Sequence, residues 1–209
     1  MVRWSFSIPF VDCSEGTHLY PPFDKNMKTI ICDIDGTITD MWPIEKSVLL
    51  CMLGRSSGEN IERLKLSGVS GTYQIYRLVS TTSINKDDYT RKYNRVFDAL
   101  LKKDALPTPK RYPLVRWIIA NKTKYRFVYA TGGQKSETLY VLENLGLIRF
   151  FDLNASVDKS NCRYSKKTGI PFKKIKAKYS DCLLITDSRD DCAGANRVQI
   201  PSVLVNYWA

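Results

Sequence analysis

A short apolar segment that ends in two aspartates constrains this chain more than any other feature of its sequence. In KTIICDIDGTITD, from Lys28 to Asp40, three apolar residues lead to Asp33, and Asp35 and a glycine follow. A run of this kind predicts a buried parallel strand, and open α/β sheets carry their chemistry beyond the carboxyl ends of such strands. Alternate strand residues point to opposite faces, so the two carboxylates can converge only where the strand ends, at Gly36.

From Tyr112 onward the sequence alternates helical and strand patterns, which predicts a doubly wound parallel sheet with right-handed crossovers. YRFVYATGG and DCLLITD predict strands that end near Thr131 and Asp187, and IPSVLVNYW predicts a final strand. RFFD, at 149–152, predicts the start of a short strand. Ligands of such sheets bind beyond the carboxyl ends of the strands. We therefore expect Asp33, Thr131 and Asp187 at one edge of the sheet.

The segment between the first two predicted strands is helical in pattern. WPIEKSVLLCML has Pro43 in its first turn, GTYQIYRLVSTT is a weaker candidate, and Asn85 or Ser83 can cap KDDYTRKYNRVFDALLKK. The acids of this last helix fall in its first turn and its lysines in its last, which suits the helix dipole. The predicted organisation is an N-terminal arm (1–27), an α/β core (28–42 and 107–209) and a small α-helical insertion (43–106).

Composition limits the partners that the chain can have. The 209 residues suit one domain, with or without an inserted lobe, and 44% hydrophobic residues suffice for a sizeable core. Thirty-two Lys and Arg against 21 Asp and Glu give a net charge of +11, which favours phosphorylated metabolites, nucleic acid or an acidic surface. No stretch suits a membrane span or a signal peptide, so we expect a cytoplasmic protein without a membrane partner.

The cysteines and the single histidine do not form a recognisable site. The six cysteines show no CxxC pair, and Cys32 and Cys182 fall at or in predicted core strands, which favours reduced, buried thiols over disulfides or zinc. His18 lies in the N-terminal arm, away from every motif. Cysteine–histidine, zinc and serine-nucleophile chemistries are therefore poor candidates.

Taken together, Ile-Ile-Cys-Asp-Ile-Asp-Gly-Thr resembles DxDGT, the nucleophile motif of the haloacid-dehalogenase-like (HAD) superfamily, including its phosphoglycolate-phosphatase-like members. FVYATGG resembles the second motif, with Thr131 and Gly132 in its phosphate-binding positions. LLITDSRDD resembles the fourth motif, GDxxxD, with Thr186 in place of the common glycine and acids at Asp187 and Asp191. Asp190 is an additional acid that could take the place of Asp191.

The third motif of the superfamily is a lysine, and several candidates lie between Arg163 and Lys173. Family lysines tend to open the helix before the fourth-motif strand, which favours Lys167 over Lys173. Lys166 remains an alternative.

The resemblance implies a phosphohydrolase that uses Mg²⁺ and an aspartyl-phosphate intermediate. Dehalogenases of the superfamily lack the second carboxylate, and its transport ATPases carry DKTGT, so Asp35 indicates phosphoester hydrolysis or phosphoryl transfer. The implied roles are nucleophile for Asp33, general acid and base for Asp35, phosphate binding for Thr131, Gly132 and Lys167, and Mg²⁺ binding for Asp33, Asp35 through its carbonyl, Asp187 and Asp191.

The insertion occupies the position where the superfamily often carries a cap, which can be a moving lid or a rigid annex. Arg55, Arg77, Tyr73 and Tyr76 are candidate substrate contacts. We expect a small phosphorylated metabolite or a nucleotide as the substrate. The alternatives are a phosphatase of 3′ or 5′ polynucleotide ends and, in another class, a non-catalytic basic nucleic-acid-binding protein. The sequence does not indicate the oligomeric state.

Overall fold

The structure, a computed structural model, describes residues 27–69 and 71–207 of the chain. Residues 1–26, which contain His18 and nearly all of the predicted N-terminal arm, lie outside the described residues. The strands are β1 (Thr29–Cys32), β2 (Arg126–Tyr129), β3 (Cys182–Thr186) and β4 (Ser202–Leu204). They form one parallel sheet in the order β2-β1-β3-β4.

Helices follow each of the first three strands. Between β1 and β2 lies a helical block that consists of α1 (Trp42–Leu53), α2 (Gly58–Leu66), α3 (Thr72–Val79) and α4 (Lys86–Lys102). The later helices are α5 (Pro113–Ala120), α6 (Lys135–Asn144), α7 (Ile170–Lys176) and α8 (Arg189–Asn196). Short 3₁₀ helices cover Arg55–Ser57, Ile148–Phe150 and Lys166–Thr168. The predicted α/β fold with a parallel sheet and a helical insertion after its first strand is confirmed.

Strands β1 and β2 are buried on both faces. Because neighbouring strand residues point in opposite directions, Ile30 and Phe127 join one apolar cluster, whereas Ile31 and Val128 pack in a second one with Phe172 of α7. Every residue of β1 and β2 is buried. A parallel strand that helices cover on both sides reads as a continuous apolar run, which is why the first motif begins with one.

The prediction that RFFD begins a strand is wrong. Ile148–Phe150 is a 3₁₀ helix, and Phe151 makes only an isolated parallel bridge to Phe127 of β2. Phe150 and Phe151 are both buried, at 4% and 5% exposure. A regular strand would turn two consecutive side chains to opposite faces. The tight turn instead directs both phenylalanines into the core.

Helix α4 is held by its cap and by an aromatic stripe. The Asn85 side chain accepts a hydrogen bond from the Asp88 N–H at 2.9 Å, which selects Asn85 as the cap residue. Tyr89, Tyr93 and Phe97 recur at intervals of four residues and are buried. This spacing places them on one face of the helix, toward the rest of the molecule.

Two of the predicted substrate contacts belong to this aromatic packing. The ring centroids of Tyr73 and Tyr76 lie 5.1 and 5.3 Å from that of Tyr89. Arg55 and Arg77 are exposed on the outside of the helical block. Tyr73 and Tyr76 therefore hold α3 against α4.

An aromatic contact joins the helical block to the core. Phe97 of α4 is fully buried, and its ring meets the edge of Tyr140 of α6 at 6.2 Å between centroids. The Tyr140 hydroxyl donates to the carbonyls of Leu106 and Pro107, in the segment that leaves α4, at 3.2 Å each. These contacts fix the exit of the helical block on α6. Among the described residues, no helix combines the length and hydropathy needed to cross a bilayer.

Phe97→Ala should lower the free energy of unfolding by about 3–5 kcal/mol, because it removes a fully buried ring at the junction of block and core. Leu101→Ala, one turn further along α4 at a side chain that is 39% exposed, is the matched control and should change it by less than about 1 kcal/mol. Urea unfolding of both variants measures the difference. Equal effects would contradict the role assigned to Phe97.

Candidate active site

The parallel register brings three motifs to one edge of the sheet. Cys32, the last residue of β1, pairs with Tyr129 of β2 and Ile185 of β3. Asp33 follows Cys32 directly, and its N–H donates to the Ile185 carbonyl at 3.0 Å. Thr131 lies two residues beyond Tyr129. The carboxyl ends of β1, β2 and β3 therefore deliver their polar residues to a common site.

A buried lysine joins two of the acids. Lys166 Nζ lies 2.7 Å from Asp33 Oδ1 and 2.5 Å from Asp191 Oδ2. Asp33 and Asp191 are only 5% and 4% exposed. The Thr186 hydroxyl also points at both acids, 3.1 Å from Asp191 Oδ2 and 3.4 Å from Asp33 Oδ2. Thr186, which replaces the common glycine of the fourth motif, thus adds a hydroxyl to the site.

Burial and charge act in opposite directions on this cluster. Burial raises the pKa of Asp33, and the Lys166 ammonium opposes that rise. Burial alone would lower the pKa of Lys166, but the adjacent Asp33 and Asp191 carboxylates raise it above its usual value. A lysine between two carboxylates keeps its proton, so the site contains a fixed positive charge next to Asp33.

In the structure it is Lys166, the alternative lysine from the sequence, that contacts Asp33, and not Lys167. Lys167 Nζ pairs with Asp190 Oδ1 at 3.1 Å, and both side chains are more than half exposed, at 60% and 65%. Lys173 is exposed on α7. Only one of two consecutive side chains can turn inward here, and Lys166 is the one that reaches Asp33. In the same way Asp191 is buried in the site while Asp190 lies outside it.

A glycine in α8 allows the lysine segment to come so close. A Cβ added to Gly194 would lie 2.0 Å from the carbonyl oxygen of Lys166 and 3.2 Å from Cα of Lys167. Real side chains do not tolerate such distances, so the 3₁₀ helix Lys166–Thr168 can rest on α8 only at a glycine. The small-residue run DCAGAN in the sequence is the signal for this contact.

Asp35 lies in the cleft with its carboxylate tied to the start of the helical block. Its Oδ1 accepts the Met41 N–H at 2.9 Å, just before α1 begins. Asp35 is accessible to solvent, but the surrounding cleft displaces part of its water and raises the pKa of its carboxyl group. Asp33 and Asp35 thus face different surroundings, one buried against a lysine and the other at the cleft wall.

The turn after Asp35 makes room for the fourth-motif acid. Gly36 has φ = +71°, and a Cβ there would lie 2.0 Å from Asp187 Oδ2. The Thr37 hydroxyl accepts the Asp187 N–H at 3.0 Å and lies 3.3 Å from Asp187 Oδ1. Both the backbone conformation and the close approach require glycine at this position.

The second motif lies on the other side of Asp33. The Thr131 N–H donates to the Val157 carbonyl at 2.9 Å, and its hydroxyl accepts the Gly133 N–H at 3.1 Å. Gly132, between them, is exposed, and a Cβ there would meet nothing within 4 Å. The Thr131–Gly133 turn therefore presents polar groups to open space beside the acids.

These groups open into a cleft of about 390 Å³ between the core and the helical block. The core side contributes every site residue predicted from the sequence except Lys167 and Asp191. The sequence did not single out Glu45 of α1, Tyr89 and Tyr93 of α4, Glu137 of α6 or Lys159, all of which line the cleft. Arg55, Arg77, Tyr73 and Tyr76 do not line it.

The acids at the cleft are of the type that binds a hard divalent cation, but their side chains do not converge into a complete coordination site. Within 27–69 and 71–207, no three His, Cys, Asp or Glu side chains lie close enough together to hold a metal ion. Asp191 Oδ2 is engaged by Lys166 and Thr186. Mg²⁺ prefers carboxylate, carbonyl and water oxygens, and Asp33 and Asp187 offer carboxylates at the cleft. The donor types fit Mg²⁺, with Asp187 exposed at the cleft and Asp33 buried against Lys166.

The chain matches known proteins by its structure but not by its sequence. No family model and no curated protein matches the chain. Among solved structures, a HAD-superfamily hydrolase from Geobacter sulfurreducens (subfamily IA, variant 1) superposes with a TM-score of 0.64 at 19% identity, over 85% of this chain and 86% of that one. The fold is that of the HAD-superfamily hydrolases.

Two further solved structures agree with this HAD fold. One from Lactobacillus plantarum, described as a phosphoglycolate phosphatase, gives a TM-score of 0.63 at 15% identity, over 85% of this chain and 86% of that one. A HAD hydrolase from Bacillus subtilis, bound to magnesium, gives 0.57 at 15% identity, over 86% and 87% of the two chains. Coverage of 85% and 86% means that each match includes at least part of the helical block as well as the core.

Lys166→Met should lower the free energy of unfolding by about 3–5 kcal/mol at neutral pH without divalent metal, because it leaves two buried carboxylates without their cation. Loss of the ammonium raises the pKa of Asp33 in the folded chain further. When the folded-state pKa of an acid exceeds its unfolded-state pKa, the free energy of unfolding falls at pH values above the unfolded-state pKa. The deficit should therefore grow as pH rises from about 4 to 7.

Lys167→Met is the matched control, since it removes an exposed pair worth about 0–1 kcal/mol. Denaturant unfolding at several pH values measures both variants. A deficit in Lys166→Met that stays small, or that shrinks with rising pH, would contradict the assignment of Lys166 to the buried site.

Proposed function

We propose that the chain is a phosphatase that hydrolyses small phosphomonoesters through a phosphorylated Asp33. The observation that supports this best is the position of Asp33 at the end of β1, beside the buried ammonium of Lys166 and at the floor of a cleft. A carboxylate repels a phosphate dianion, so an attacking aspartate needs fixed positive charge next to it. Lys166 supplies one such charge.

In the first half-reaction, the groups around Asp33 bind the phosphoryl oxygens. Lys166 and the polar groups of the Thr131–Gly133 turn stabilise the negative charge on those oxygens as the transition state forms. An Asp33 oxygen attacks phosphorus and forms a new P–O bond, while the bond from phosphorus to the leaving oxygen breaks. Asp35 gives that leaving oxygen its proton.

In the second half-reaction, the same residues act on water. Asp35, now a carboxylate, takes a proton from a water molecule that attacks phosphorus. The bond between phosphorus and Asp33 breaks, inorganic phosphate leaves, and Asp33 regains its carboxylate. A positioned acid and base of this kind contributes typically about 10²–10⁴-fold to the rate.

We expect Asp33 and Asp187, with the Asp35 carbonyl, to hold Mg²⁺. The ion, when bound, screens the repulsion between the aspartate and the phosphate dianion. The magnesium in the Bacillus subtilis structure of the same fold supports this expectation. Lys166 lies between the Asp33 and Asp191 carboxylates and offsets part of their negative charge.

The helical block acts in this proposal as a cap over the cleft. Glu45 of α1 and Tyr93 of α4 form part of the wall that covers the reacting groups. A covered cleft limits the size of the leaving group and excludes water. This favours a small phosphomonoester over the alternative substrate, a polynucleotide end. The unpaired thiols of Cys32, Cys162 and Cys182, all buried, suit a reducing compartment such as the cytoplasm.

Asp33→Asn should reduce Mg²⁺-dependent hydrolysis of 4-nitrophenyl phosphate to about one thousandth or less, because the amide is no nucleophile. Asp190→Asn, at an exposed acid of the same motif, should keep the rate within about twofold. Circular dichroism checks that both variants fold. Turnover by folded Asp33→Asn at the parent rate would refute the mechanism.

Mg²⁺ at a hundred times its Kd should raise the free energy of unfolding by about 2.7 kcal/mol, since the ion binds the folded chain. Asp187→Ala should abolish this response, because it removes a carboxylate that faces the cleft. Asp190→Ala, which removes the outward-facing acid, should keep it. Thermal unfolding with and without Mg²⁺ tests both, and an unchanged response in Asp187→Ala would remove that residue from the metal site.

A further inference from the structure

The cleft is acidic although the chain as a whole is strongly basic. The chain carries a net charge of +11, yet the cleft lining contains five carboxylates and two lysines. The carboxylates are those of Asp33, Asp35, Glu45, Glu137 and Asp187, and the lysines are Lys159 and Lys166. Asp33, Asp187 and Lys166 belong to the phosphoryl-transfer groups described above. Glu45, Glu137 and Lys159 have no role in that chemistry.

The two glutamates come from different parts of the fold and meet at the same cleft. Glu45 lies in the first turn of α1, in the helical block, and Glu137 in the first turn of α6, in the core. Glu137 is buried, at 7% exposure, and its Oε2 accepts the Gln134 N–H at 3.0 Å. Neither residue touches Lys166, so neither is needed to balance its charge.

The surroundings of Glu45 already disfavour negative charge. Burial raises its pKa to about 8, and the nearby carboxylates of Asp35 and Glu137 contribute to that rise. Lys65 and Lys159 act in the opposite direction without cancelling it. A leaving group with a further negative charge would meet the same repulsion.

The cleft also offers hydrogen-bonding groups at this end. Asn94 and Thr90 of α4 line it, together with Thr72 at the start of α3. Tyr89 is 5% exposed, and within the part of the chain that the structure describes its buried hydroxyl has no hydrogen-bond partner of standard geometry. Amide, hydroxyl and carboxyl groups can accept hydrogen bonds from the hydroxyl groups of a polyol and can also donate hydrogen bonds to them.

We propose that Glu45 and Glu137 make the leaving-group end of the cleft selective for phosphomonoesters that carry hydroxyl groups and no second anion. This inference rests on the proposed phosphatase function and narrows its substrate class. The phosphoryl group lies at Asp33 and Lys166, so the rest of the substrate extends toward the helical block, where Glu45 and Tyr93 form the wall. Carboxylated esters such as phosphoglycolate, and nucleotides with further phosphates, are disfavoured.

The expected size of the discrimination follows from Coulomb repulsion. A carboxylate on the substrate at about 6 Å from one glutamate, at an effective dielectric constant of about 40, loses about tenfold in affinity. Lys159, which is exposed, offers a single positive charge near two glutamates. Once Glu45 is ionised, above its pKa of about 8, the net effect of these three side chains on a carboxylate is therefore repulsive.

Three phosphomonoesters of matched length test the inference: 2-hydroxyethyl phosphate, O-phosphoethanolamine and phosphoglycolate. Their dissociation constants should be measured by calorimetry with Mg²⁺ at about pH 9, where Glu45 is ionised. The Asp33→Asn chain is used because it binds without turnover in the proposed mechanism. We expect the hydroxyl and ammonium esters to bind at least about tenfold more tightly than phosphoglycolate. Phosphoglycolate binding as tightly as the hydroxyl ester, or more tightly, would overturn the inference.

Two variants test whether the glutamates cause the preference against phosphoglycolate. Glu45→Gln keeps the shape of the side chain and should reduce the preference against phosphoglycolate by about threefold or more, and Glu137→Gln should act in the same direction. Glu143→Gln, at an exposed glutamate of α6, is the control and should leave the preference unchanged. A preference that survives in both Glu45→Gln and Glu137→Gln would contradict the roles assigned to them.

Hydrolysis of 4-nitrophenyl phosphate by the parent chain separates this inference from the function on which it rests. Absence of Mg²⁺-dependent hydrolysis would refute the phosphatase proposal while the binding order still decides the selectivity of the cleft. Hydrolysis of the aryl ester together with preferred binding of phosphoglycolate would refute the selectivity alone.

Discussion

The structure depends on a buried ammonium between two buried carboxylates. Lys166 reaches Asp33 after β1 and Asp191 at the start of α8, so this one side chain ties together segments that are distant in sequence. Desolvation of three charges is expensive, and it is offset only if each charge keeps its partners. Thr186 contributes a hydroxyl to the same cluster, and Gly194 lets the lysine segment approach. The fold and the chemistry of the site are therefore determined by the same contacts.

The basic exterior and the acidic cleft affect a phosphorylated substrate in different ways. Basic residues on the exterior give the chain a field that draws anions toward it, which raises encounter rates with phosphorylated molecules. The cleft, in contrast, is lined by more acids than bases. In the proposed function, Lys166 binds the phosphoryl group, and Glu45 and Glu137 select the rest of the substrate. A long polyanion would be attracted by the surface and repelled by the cleft.

The sequence predicted the elements whose pattern is local. Helix α1 covers the predicted residues WPIEKSVLLCML. Their apolar spacing indicates a helix, and Pro43 indicates its first turn. The strands β1 and β3 were predicted from apolar runs that end in polar residues. Helix α2 was not predicted, because Gly58–Leu66 is mostly polar and buries only Ile61. A short helix with one buried residue leaves almost no periodic signal.

The remaining errors concern tertiary contacts. The choice between Lys166 and Lys167 depends on how a 3₁₀ helix rests on Gly194, which no local pattern encodes. Glu45 and Glu137 are ordinary helical acids in sequence and acquire a role only because α1 and α6 face the same cleft. Motifs therefore located the groups proposed to react with phosphorus, whereas the groups proposed to recognise the leaving group required the fold.

The central claim is that phosphate passes through a covalent bond to Asp33. Brief reaction of the parent chain with a phosphomonoester, an acid quench and mass spectrometry of the peptides would test it most directly. The account predicts one added phosphoryl group on the peptide that contains Asp33. Borohydride should then reduce the phosphorylated side chain of that residue. A phosphoryl group on another residue, with Asp33 unmodified under the same conditions, would contradict it.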